Sequence, residues 1–98
     1  MPREMTREEA TSHVVGLLQQ FGALTTRQFE LMARSTGQRC PDGTVKFLMQ
    51  LRLLGTICGG VSVEQRGWVW WLQGEQPPPV AAADQVEAEA QRRHQSAA

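Results

Sequence analysis

The stretch Gly67–Gly74, GWVWWLQG, holds all three tryptophans of a 98-residue chain that has no tyrosine. Aromatic and β-branched side chains packed this densely favour a strand. The two-residue repeat of a strand sends Trp68, Trp70 and Leu72 to one face and Val69 and Trp71 to the other. Tryptophan contributes more buried area per position than any other residue, so the first face is expected to seal a core. Trp71 covers the back of the sheet or meets a partner. The preceding TICGGVSV reads as a second short strand, and EQRG between the two, ending in glycine, makes them a hairpin.

Helices precede this hairpin. In TREEATSHVVGLLQQFG the Thr6 hydroxyl and the Glu9 carboxylate form a capping box, Ala10, Val14, Leu17, Leu18 and Phe21 recur at helical steps, and Gly22 ends the helix. A shorter second helix follows in ALTTRQFELMARSTG, with Thr25 as N-cap, Gln28 completing the box, Phe29 and Met32 on one face, and Gly37 as the stop. The polar STGQRCPDG breaks the pattern. A third helix, DGTVKFLMQLRLLGTI, is expected to begin at Asp42 as N-cap and stop at Gly55. Phe47, Leu48, Leu51 and Leu54 cluster on its buried side, leaving Lys46, Met49, Gln50 and Leu53 opposite.

After Gly74 the character changes. EQPPPVAAADQVEAEAQRRHQSAA opens on prolines and has Val80 and Val86 as its only large aliphatic residues, too few to offset the entropy of ordering it. Residues 75–98 therefore read as a Pro/Ala-rich acidic tail, flexible unless a partner induces a helix supported by the Glu89–Arg93 spacing. Residues 1–5 form an N-terminal arm and residues 6–74 the one small domain that this length permits.

Formal charge is zero overall but unevenly placed. Between Ala23 and Gly74 six basic residues face three acidic ones, a balance of +3, while both flanking segments are net acidic. Cys40 and Cys58 stand far apart, with His13 and His94 distant from both, so neither a zinc site nor any other metal is expected, and two free thiols in a reducing compartment are. No apolar run approaches the roughly 20 residues that cross a bilayer, and no apolar stretch follows the first basic residues as in a secretory signal. A cytoplasmic protein without membrane partners is the expectation. No nucleophile, base and acid are arranged for catalysis and no glycine-rich phosphate loop is present, so neither an enzyme nor a cofactor is expected.

The order of three helices and a hairpin resembles a winged helix-turn-helix. The likeness is carried by Leu48, Leu51, Gly55 and Ile57, which match the leucines, glycine and aliphatic residue that lead into a wing, by ALTTRQFELMA as the first helix of the pair, and by WVWWLQG as the returning wing strand. It is similar to the MarR-like and replication-relaxation-like groups and covers Thr6 to Gly74. The resemblance implies a small α+β winged-helix fold and a sequence-specific regulator of double-stranded DNA: a homodimeric repressor or a mobile-element accessory factor. It places the third helix in the major groove, with Thr44, Lys46, Met49, Gln50 and Leu53 towards the bases. Gln50 suits adenine, Lys46 guanine or phosphate, and Met49 a thymine methyl. Arg27, Arg39 and Arg66 are the phosphate candidates, and the first helix or the tail is the expected dimer contact. The alternative is a winged-helix adaptor without DNA binding that docks a protein through Met49, Leu53 and Trp71.

Overall fold

The computed structural model describes residues 3–74 and 78–97. The chain is α+β, with four helices rather than three. In order they are β1 (Arg3–Glu4), α1 (Arg7–Phe21), β2 (Ala23–Thr25), α2 (Thr26–Ser35), β3 (Gln38–Arg39), α3 (Thr44–Leu53), β4 (Ile57–Ser62), β5 (Gly67–Leu72) and α4 (Ala83–Ala97). β2, β5 and β4 form an antiparallel sheet in that spatial order, and β1 pairs with β3 in parallel.

Both capping boxes form, Thr6 with Glu9 and Thr25 with Gln28. The third helix begins differently. Asp42 takes a left-handed conformation (φ 60°) and Gly43 occupies the N-cap position (φ 91°, ψ 153°), leaving α3 without a side-chain cap. Aspartate tolerates that left-handed turn, and the following backbone conformation needs glycine. Leu54, expected in the core, lies past the last turn of α3 and is exposed.

The core lies between the helices and one face of the sheet. Val14, Leu17 and Leu18 of α1, Phe29 and Met32 of α2, and Phe47, Leu48 and Leu51 of α3 are buried around Trp70. The alternation in β5 is as expected: Trp70 is fully buried, Trp68 stacks on it with centroids 5.2 Å apart, and Leu72 packs at the core margin. The Trp70 Nε1–H donates to Thr26 Oγ1 at 3.0 Å, satisfying the polar end of a buried indole. Gly59 of β4 pairs with Trp70, whose ring crosses the strand so closely that a Cβ would stand 2.6 Å from its Cζ3. On the opposite face Ala23 pairs with Trp71, next to the segment Pro78–Val80.

The segment after Gly74 is not a tail in its described part. Val80 bridges to Ala23, the Ala81 amide donates to the Ala23 carbonyl, and α4 lies along α2. Val86 and Ala90 of α4 enter the core cluster. Two small apolar residues one turn apart, Val86 and Ala90, suffice because α2 and α1 already supply the rest of the buried surface, so α4 needs only a narrow contact to be held. Glu89 pairs with both Arg92 and Arg93. The arm is ordered in the same way: Arg3 and Glu4 form β1 and Met5 is buried. Among the described residues no helix is long and apolar enough to cross a membrane.

Candidate nucleic-acid interface

The exposed face of α3 carries Val45, Lys46 and Leu53, with Thr44, Met49 and Gln50 half-buried. Phe47, Leu48 and Leu51 anchor the opposite side, so the helix presents a fixed face. Thr44, Lys46 and Met49 share one cleft with Glu30 and Asp42, so acidic groups adjoin the single lysine of the face.

Two of the three candidate phosphate contacts converge. Arg27, in the first turn of α2, and Arg66, in the turn between β4 and β5, line one cleft of about 700 Å³ that reaches Val45 of α3 and Trp68. Arg66 holds a left-handed conformation (φ 58°) and is exposed. The same cleft is walled by Glu87 of α4. Arg39 does not join them. It stands opposite Glu4 in the β1–β3 ladder and pairs with it at 3.4 Å, so its charge is engaged in a separate cleft beside Thr44.

Gln50 is not free. Arg7 of α1 donates from Nη2 to Gln50 Oε1 at 2.6 Å, while its guanidinium sits 5.6 Å above the Phe47 ring and its Nη1 is 3.9 Å from Asp42. Arg52, on the side of α3 facing the hairpin, lies 5.5 Å over Trp68 and donates to the Gly59 carbonyl at 3.3 Å. Sequence reasoning missed Arg7 and Arg52. Arg7 is separated from Gln50 by 43 positions, and no local pattern announces that pairing.

Leu53 and Leu54 are exposed at 76% and 73%, beyond what a phosphate-facing surface requires. Trp71 is half-buried on the sheet face away from α3, so it cannot share a continuous surface with Met49 and Leu53.

Cys40 is buried and Cys58 partly so, and both are free. Burial pushes the Cys40 thiol up, with the Glu30 charge adding to it and a hydrogen bond with Thr44 opposing, which disfavours the reactive thiolate. Among the described residues no group of three or more His, Cys, Asp or Glu side chains could hold a metal. Compared with protein-family models, curated proteins and solved structures, the chain gives no match.

Proposed function

We propose that the chain is a small winged-helix regulator that binds double-stranded DNA, with the exposed face of α3 in the major groove and the β4–β5 turn on the backbone. The order α1, β2, α2, α3, β4, β5, with β2 beside β5 on its far side from β4, suits that fold. The single observation that carries the reading is the basic rim around α3. Arg7 from α1 lies against Gln50, while Arg27 from α2 and Arg66 from the hairpin turn line the cleft that ends at Val45. Side chains from three separate elements thus border α3, and this reading assigns them to the phosphates flanking the inserted helix. Base reading falls to Thr44, Lys46, Met49 and Gln50, and Arg39 and Arg7 contribute less charge than Arg27 and Arg66 because Glu4 and Asp42 stand beside them.

With so few cations one copy binds weakly, since affinity follows the number of phosphates neutralised. A homodimer acting as a repressor or mobile-element accessory factor in the cytoplasm meets that need, and no step of such a role requires catalysis or a cofactor. Selection of a randomised duplex library on the purified protein, followed by anisotropy of the enriched duplex at several salt concentrations, tests the proposal. Enrichment of one motif, with affinity falling steeply in salt, is expected; a library that stays random at low salt refutes it.

The exposure of Leu53 and Leu54 favours a second reading, an adaptor whose α3 surface docks a protein. Under it Leu53→Asp abolishes capture of that partner and leaves duplex affinity at zero in both forms.

A further inference from the structure

The three-stranded sheet has two edges, and they are treated differently. The β2 edge is covered by the chain itself, through the Ala23–Val80 bridge and the bond from the Ala81 amide to the Ala23 carbonyl. The β4 edge has no strand beside it among the described residues. Natural sheets protect such an edge with charge, proline, a bulge or a covering segment. From Ile57 to Val63, ICGGVSV, there is no charge and no proline, the pairing with β5 runs through Ile57–Ser62 without a bulge, and the Arg52 side chain of α3 reaches the edge at the Gly59 carbonyl. Val61 and Val63 are 71% and 90% exposed there.

The direction of the outward main-chain groups is fixed. Arg52 donates from outside the ladder to the Gly59 carbonyl, so Ile57, Gly59 and Val61 turn their amides and carbonyls outward, while Cys58, Gly60 and Ser62 turn theirs to β5. The set is self-complementary. With two copies antiparallel about a twofold axis through Gly60, Val61 of one strand falls opposite Gly59 of the other, beside the Trp70 ring that crosses β4 there, and Val63, at the start of the turn, falls opposite Ile57. Glu64 meets Thr56, so no like charges oppose each other.

We propose that two copies of the chain join through their β4 edges in this register, merging their three-stranded sheets into one, with Val61 opposite Gly59 of its mate. The central Gly59–Val61 pairs supply about four main-chain hydrogen bonds, the Gly59 carbonyl accepting through its second lone pair beside Arg52, and the exposed valines bury against the partner. The interface does not depend on the nucleic-acid reading. It also replaces the segment after Ala81 as the dimer contact, since α4 already packs its apolar residues along α2.

The register makes Cys58 and Ser62 a non-hydrogen-bonded cross-strand pair, with Cα atoms about 4.5 Å apart. That separation lies within the roughly 4.4 to 6.8 Å a disulfide spans. The test is mild oxidation of Ser62→Cys, with the cross-linked peptide identified by mass spectrometry, alongside sedimentation equilibrium of the parent and of Val61→Lys. Three results are expected. The parent forms a reversible dimer, and oxidised Ser62→Cys carries a disulfide from Cys58 of one chain to the introduced thiol at position 62 of the other. Val61→Lys forms at least an about tenfold weaker dimer with unchanged tryptophan fluorescence. A parent that stays monomeric overturns the proposal. So does a dimer that neither forms this link nor responds to Val61→Lys, because its interface then lies elsewhere.

Discussion

Arg7 and Gln50 are joined by a 2.6 Å hydrogen bond across 43 positions of sequence, and the bond has only one chemical sense. A guanidinium has no acceptor, so the Gln50 amide must turn its oxygen to Arg7. Its orientation is thereby set before any ligand arrives. Arg7 in turn is held by the Phe47 ring and Asp42. On the proposed DNA-binding role, Arg7 is a positioning residue for base recognition. Arg7→Met is expected to reduce discrimination at the one base pair read by Gln50 about tenfold and to change the log–log salt slope by no more than about one. Competition anisotropy with duplexes varied one pair at a time checks this, and equal discrimination by both proteins would count against it.

Gly59 and Gly60 are neighbours with different obligations. A Cβ at Gly59 collides with the Trp70 ring, whereas one at Gly60 meets Trp71 Cη2 at an ordinary 3.5 Å. Gly59→Ala should therefore destabilise the fold by about 3 kcal/mol, because the fully buried indole has nowhere to move. Gly60→Ala should cost less than about 1 kcal/mol. Urea unfolding followed by tryptophan fluorescence distinguishes them.

The attachment of α4 rests on Val86, which is fully buried. Val86→Ala should cost about 2 kcal/mol. Val86→Asp buries an unpaired charge and should release the helix from α2 altogether. Hydrogen exchange over residues 83–97 would then rise towards that of an unstructured peptide, while amides of α1 and β5 stay protected. Equal exchange in parent and variant would show that α4 is held by something other than Val86.

Acid should weaken the fold in a window set by His13. Burial, reinforced by the Arg93 charge, lowers this imidazole from its ordinary 6.5 to about 4, and its buried Nε2 has no partner among the described residues. The neutral form is the one the fold accepts, so the unfolded chain takes up the proton first as pH falls below 6.5. Stability is lost between pH 6.5 and 4, by about 3 kcal/mol at most, and this loss is complete below the folded value. Glu9, held at about 2 by its hydrogen bonds from Arg3 and then Thr6, loses its contribution lower still, as pH drops from 4.5 towards 2. Urea midpoints measured across pH 6.5 to 4 should slope steeply for the parent and stay nearly flat for His13→Gln.

What the residues revealed in advance follows the range of the interactions. Thr6 with Glu9 and Thr25 with Gln28 are local, and the helices they cap form where the spacing places them. The faces of β5 follow from its two-residue repeat, which makes Trp70 a core residue. The three-residue β2 was hidden because its pairing with β5 is made across the fold; the helical tendency around Glu89 and Arg93 was visible, but the docking of α4 was not, because Val86 and Ala90 are buried only by the groove that receives them. Asp42 has the composition of an N-cap, yet the turn from Cys40 requires it to be left-handed and passes the cap position to Gly43. At the candidate site, α3 and its outward residues were legible from periodicity. The convergence of Arg27 and Arg66 on one cleft, the diversion of Arg39 to Glu4 and the clasp of Arg7 on Gln50 are tertiary facts with no local signature.

Binding of duplex DNA by the face of α3 and its basic rim is tested most directly by Lys46→Glu combined with Arg66→Glu. Both side chains are exposed, so the fold should survive, as unchanged tryptophan fluorescence would verify. Anisotropy of the selected duplex, titrated with parent and variant at low salt, gives the answer. Tight, salt-dependent binding by the parent and its loss in the variant are expected; a folded variant that binds the duplex as well as the parent would contradict the proposed role.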